Sequence, residues 1–220
     1  MTSNIRYNNM SLNAIVERIF IHQNKGKSKG KSKSKGKESK WTKPLLSKLV
    51  LNVLLVYYGV RDAYLVDCCL VEELEAIKLL SDICTVLKLD LTVLGVVSMH
   101  MDCIIVNLER LKCKMDGLMN LNDSNTSIIV DINGETPYIV SHIESMNMWT
   151  VLENGMRDIV DKGLASTKEL SQQCVVVRVE SSYVICAHLG LPFLAGWLLG
   201  YPSIYFSINA DGTNGFWVSK

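Results

Sequence analysis

The stretch Ser181–Ile208, SSYVICAHLGLPFLAGWLLGYPSIYFSI, is the longest apolar run in the chain. Its placement in a membrane or in a protein core decides the class of the molecule. From Tyr183 to Gly200 it carries no formal charge over 18 residues, which meets the lower limit for a membrane-spanning helix. Its composition points the other way. The run holds His188, Gly190, Pro192 and Gly196, its flanks lack a basic cluster, and the next apolar candidate contains Lys48. We therefore read it as a core segment. Ser181 or Ser182 caps a helix over Tyr183–Leu199, Gly200 and Pro202 stop it, and a buried strand follows over 203–208.

Working outward, the same logic divides the rest of the chain. Thr42 or Lys43 precedes Pro44, a good first-turn residue, and the pattern predicts a helix over Pro44–Tyr58 that ends at Gly59. AYLVDCC (63–69) reads as a strand, and apolar residues at 70, 74, 77, 80, 84 and 87 form one helical stripe. LDLTVLGVV (89–97) and CIIVNLE (103–109) are strands joined by a connection short enough for an antiparallel hairpin. MDGLMNLNDSNTS reads as a loop, SIIVDI (127–132) as a strand, and Asn133-Gly134 as a turn. Met148, Leu152, Met156, Ile159 and Val160 share one face of a helix over Glu144–Lys162, with Gly163 placed to end it. CVVVRVE (174–180) is a further strand and FWV (216–218) a short last one. Strands apolar throughout, alternating with helices, are buried on both faces. The expectation is a three-layer α/β fold: a mostly parallel, mixed sheet of about six strands with helices on both faces.

The 220 residues fit one sizeable domain over 41–220 preceded by two short segments. Residues 1–23 hold an amphipathic pattern with apolar positions 12, 15, 16, 19 and 20. Residues 24–40 contain no apolar side chain and read as a disordered Lys/Gly/Ser-rich tether, since nothing there offsets the entropy of ordering. The net charge of +1 hides a split. Lys25, Lys27, Lys29, Lys31, Lys33, Lys35, Lys37 and Lys40 against the single Glu38 give the tether +7, which leaves −6 on the remainder. The folded part thus offers no basic field for nucleic acid. The tether is a solvated linker or a contact for a polyanion, nucleic acid or anionic lipid, through counterion release. Its GKS triplets lack the earlier glycine of a phosphate-binding loop. Seven cysteines, most of them inside apolar runs, and no basic-then-apolar leader favour a reducing compartment, cytosol or nucleus.

Three acids end strands: Asp67, Asp131 and Glu180. If those strands were parallel neighbours, their carboxylates would converge beyond the carboxyl edge of the sheet, where open α/β sheets bind ligands. There they could hold Mg²⁺ or act as acid and base. The plainer reading makes Asp67 a helix cap and Glu180 a solvated loop residue. His22, His100, His142 and His188 are dispersed, and no zinc, nucleophile-elbow or dinucleotide fingerprint is present.

VLNVLLVYYGVRDAYLVD (50–67), CVVVRVE (174–180) and LLGYPSIYF (198–206) together resemble an uncharacterised eukaryotic family. That family is known by its human chromosome 1 open reading frame 74 member and is defined as a domain of unknown function. The resemblance spans roughly Leu45 to Ile208 and implies a soluble intracellular α/β protein, with no activity or site residues to carry over. The Lys-rich tether departs from the family pattern. The sequence thus favours a binding domain, with a metal-assisted enzyme built on the three acids as the alternative.

Overall fold

The computed structural model describes residues 11–24, 41–67, 71–99, 102–118, 127–133, 136–169, 174–179 and 188–206. Three helices build one side of the protein: α1 (Leu12–Asn24), α2 (Lys43–Tyr57) and α3 (Glu73–Leu87). Each starts or stops for a local reason. The Ser11 hydroxyl accepts from Ala14 N at the head of α1, and Thr42 caps α2 by accepting from Leu45 N, with Pro44 in the first turn. Lys88 ends α3 in the left-handed region at φ 55°. α1 docks rather than lying loose, burying Ile15, Val16 and Ile19 against α2 and α3.

A four-stranded sheet lies beneath these helices. Its strands are β1 (Ala63–Leu65), β2 (Leu94–Met99), β3 (Asp102–Asn107) and β6 (Val175–Val179), in the order β1-β3-β2-β6. The hairpin expected around 98–102 is present, with Met99 opposite Asp102, and β6 pairs parallel to β2. Because β3 is antiparallel to both β1 and β2, the strands β1, β2 and β6 run one way and β3 the other. Val96 and Ile105 face the layer of α1–α3, while Val97 and Ile104 face the opposite core. Both faces are covered, which is why these strands read as unbroken apolar runs.

The opposite core is formed by α4 (Leu108–Leu118), α5 (His142–Glu169) and α6 (Leu191–Leu198), together with a second sheet. That sheet has β4 (Ile128–Asp131), β5 (Tyr138–Ile139) and β7 (Ser203–Phe206) in the order β5-β4-β7. β4 is parallel to β7 and antiparallel to β5. The fold is therefore mixed α/β with a four-stranded and a three-stranded sheet, which corrects the expectation of one mostly parallel sheet of about six strands. Apolar content marks a strand without naming its partner, and the pairings β1–β3, β2–β6 and β4–β7 join segments distant in sequence.

Other boundaries moved for visible reasons. The sequence expects a strand over 103–109, but it ends at Asn107, whose side chain begins α4, a helix in part assigned to loop. Residues 91–93 form one 3₁₀ turn capped by Asp90 instead of strand. α5 starts earlier than expected and runs through Gly163. The Ser181–Ile208 run is described over 188–206, where His188 and Leu189 are helical, Gly190 at φ 75° interrupts the helix, and α6 resumes at Leu191. α6 buries Leu191, Phe193, Leu194, Trp197 and Leu198, and Gly196 lets it close on β7, where an added Cβ would meet Ile204 Cγ2 at 3.3 Å. Among the described residues, no helix is long and apolar enough to cross a membrane. The expected strand at 216–218 and the tether lie outside the described residues.

Candidate cleft at the carboxyl ends of β4 and β7

The register of the second sheet brings three side chains to one edge. Asp131, the last residue of β4, stands beside Phe206 at the end of β7 and opposite Tyr138 of β5. The chain then turns into α5 through a reciprocal cap. Ser141 Oγ accepts from Glu144 N at 3.3 Å, and Glu144 Oε2 accepts from Ser141 N at 3.3 Å and from the Ser141 hydroxyl at 2.7 Å. The first turns of α5 thereby place Glu144, Asn147 and Met148 over the strand ends.

Between them lies a cleft of about 270 Å³, with Asp131, Tyr138, Glu144 and Asn147 as its polar lining and Val140, Met148 and Phe206 as its apolar lining. Phe206 meets Phe193 edge-on at 6.4 Å, and Phe193 meets Trp149 at 5.6 Å, so the apolar wall continues into the core.

Asp131 is only 9% exposed. Its Oδ1 accepts from Asn133 N at 2.7 Å and from the Asn133 amide at 2.8 Å, and its Oδ2 accepts from the Tyr138 hydroxyl at 3.0 Å. These neutral donors orient the carboxylate at the cleft. The Tyr138 phenol is held above its usual pKa, first by donating to Asp131, then by the charge of Asp131, by desolvation and by the charge of Glu144. Both carboxylates thus act on one hydroxyl.

The other strand-end acids stand elsewhere. Asp67 follows β1 on the four-stranded sheet, well exposed, with Lys48 Nζ at 3.5 Å from Oδ1. Glu180 lies outside the described residues. The strands that carry Asp67, Asp131 and Glu180 are not neighbours: β4 belongs to the other sheet, and β1 and β6 are the two edges of the first. At strand spacings near 4.8 Å those edges are roughly 14 Å apart. Among the described residues, no group of three His, Cys, Asp or Glu side chains is placed to hold a metal ion.

Sequence reasoning reached Asp131 but not Tyr138, Glu144, Asn147, Met148 or Phe206. One signal was available in Ser141-x-x-Glu144, the spacing of a capping box, which fixes where α5 begins.

The fold and cleft define a mixed α/β domain with a small, acid-lined concavity at one sheet edge. Comparison with known families matches residues 30–215 to the Domain of unknown function (DUF4504), and the chain belongs to that family. No curated protein and no solved structure matches it.

Proposed function

We propose that this protein is a binding domain and that the cleft between β4, β7 and the start of α5 is its ligand site. The observation that carries the reading is Asp131, a largely buried residue at the lining of an open cleft whose carboxylate is fixed there by Asn133 and Tyr138. Holding a charged group out of water is costly, and a pre-oriented polar group on an apolar wall is the usual composition of a ligand site. Its membership in the family of the human chromosome 1 open reading frame 74 protein, and work in the cytosol or nucleus, belong to the same proposal and rest on the sequence. Ligand-observed NMR with a mixed library of small amines, acids and amides tests the site. Binders should be found, and Asn147→Trp, which fills the cleft from an exposed position, should remove them. Binding unaffected by that filling would place the ligand elsewhere.

The Lys-rich segment supports a second, separate contact. Both its borders are anchored to the helical layer, α1 through Ile19 and Trp41 through its indole, which is 3% exposed and donates to Glu75 Oε1 at 2.8 Å. We propose that residues 25–40 contact polyanions, either nucleic acid or anionic lipid. Deleting them should abolish salt-sensitive retention on single-stranded RNA and on phosphatidylserine vesicles, and unchanged retention on both would refute the contact.

A further inference from the structure

We infer that the ligand of this cleft is a compact organic cation, an amine or guanidinium attached to an apolar or aromatic body. The inference rests on reading the cleft as a binding site and adds the chemistry of what it holds.

Among the described residues that line the cleft, every charged side chain is acidic and none is Lys, Arg or His. Asp131 accepts three hydrogen bonds, all from neutral donors, and Glu144 accepts from Ser141. Among the described residues neither carboxylate has a cationic partner. A carboxylate offers about four acceptor positions, so Asp131 retains one at Oδ2, the oxygen that takes only the Tyr138 hydroxyl. Buried charges are normally paired, and a cationic donor entering the cleft would supply the missing partner. The remaining wall selects the body of the ligand. Phe206 presents a half-buried ring and Met148 a flexible thioether, which suit a hydrocarbon or aromatic group and allow a cation to sit over the ring. A divalent metal fits less well. It wants six or more oxygens, whereas the cleft offers two carboxylates, one already largely occupied. At about 270 Å³ the space falls below the roughly 300–1,000 Å³ of pockets for drug-sized molecules, so the ligand is small or is one side chain of something larger.

Benzylamine, benzyl alcohol and benzoate share a body and differ only in the group that would meet the acids. Full-length protein labelled on methionine methyls, with the Met148 signal assigned by Met148→Leu, reports the cleft directly. Benzylamine should shift that signal saturably and bind about tenfold or more tightly than benzyl alcohol, as a charge-assisted bond to a carboxylate warrants, and benzoate should not bind. Glu144→Gln keeps the helix cap and should weaken benzylamine a few-fold, in line with a more exposed ion pair, while leaving benzyl alcohol unchanged. Asp131→Asn should abolish the preference for the amine. Nα-acetyl-arginine amide, run alongside, separates a free amine from a peptide side chain as the source of the cation, and binding by either supports the inference. If benzyl alcohol or benzoate shifts Met148 as well as benzylamine does, the cation assignment is wrong while the cleft remains a binding site. If Mg²⁺ alone shifts Met148 and displaces benzylamine, the ligand is a metal and the inference falls. If no probe of any charge shifts Met148, the reading of the cleft fails as well.

Discussion

Asn107, the last residue of β3, holds the end of α2, its Nδ2 donating to the Val56 carbonyl at 3.1 Å. The same nitrogen donates to the Tyr57 carbonyl at 3.2 Å, and Oδ1 accepts from Arg110 N at 3.1 Å. One side chain, 4% exposed, therefore closes the carboxyl end of α2 and opens α4. That dual role predicts an ordering of substitutions. Asn107→Ala should cost about 2 kcal/mol, the loss of a helix cap plus poorly satisfied buried groups. Asn107→Asp keeps the acceptor for Arg110 but turns a carboxylate toward two carbonyl oxygens, so it should be no better than alanine. Urea unfolding of both variants checks the order, and a neutral Asn107→Asp would show that the bonds to α2 contribute little.

Lys88 offers the opposite effect. It is the one described non-glycine residue at positive φ, at 55°, directly after α3. A side chain there pays for left-handed backbone by about 1–2 kcal/mol, and glycine avoids that strain at the cost of a more flexible unfolded chain. Lys88→Gly should therefore stabilise the protein by roughly 0.5–1 kcal/mol, raising the denaturation midpoint without changing the slope. A lower midpoint would mean that the lysine side chain makes up for its backbone.

Tyr138 carries a pH signature of the cleft. Its phenol pKa is raised, led by the hydrogen bond to Asp131. A raised folded-state value means that the interaction contributes fully below the unfolded tyrosine pKa near 10 and is lost as pH rises through the folded one. Carbon NMR of the tyrosine ring should place Tyr138 above the ordinary range. Asp131→Asn should bring it down most and Glu144→Gln less, following the order of causes. Equal values in all three proteins would mean that the hydroxyl does not meet Asp131 in solution.

What the sequence discloses here is local. α2 follows from Thr42 and Pro44 and α3 from its helical apolar spacing, although α3 buries Leu79, Leu80, Ile83 and Cys84 and leaves Leu74 of the expected stripe exposed, and the β2–β3 hairpin follows from a connection too short for anything else. The division into two sheets depends on contacts between distant segments, such as Ile128 beside Ser203, that no spacing rule encodes. α4 is hidden because a polar helix follows an apolar strand directly, and only Asn107 marks the change. The cleft divides in the same way. Strand-end position singles out Asp131, and the Ser141–Glu144 spacing marks the helix start. The pairing of Asp131 with Phe206 exists only once β4 and β7 lie side by side. β5 is two residues long, too short for any alternation to announce Tyr138.

Lys114 of α4 fastens α6, the helix of the long apolar run. Its ammonium donates to the Trp197 carbonyl at 2.6 Å and to Asp62 Oδ2 at 3.3 Å, and lies 5.3 Å from the centre of the Trp197 ring. Trp197 O is near the carboxyl end of α6, where carbonyls lack helical donors and cations are favoured. Burial pulls the Lys114 pKa below its usual value, and the charge of Asp62 and its hydrogen bond oppose that pull. A folded-state lysine with a lowered pKa releases its proton before the unfolded chain does. Stability from this group therefore rises with pH between the folded and unfolded values. Lys114→Met keeps the apolar stem and removes the charge. It should cost about 1–2 kcal/mol, mostly from the Trp197 carbonyl, since the half-exposed Asp62 pair is screened by solvent. Asp62→Asn should lower the Lys114 pKa further, because it removes what opposes burial. Nitrogen-detected NMR of the lysine ammonium measures that shift, and a Lys114 pKa that rises in Asp62→Asn would mean that Asp62 does not face the ammonium.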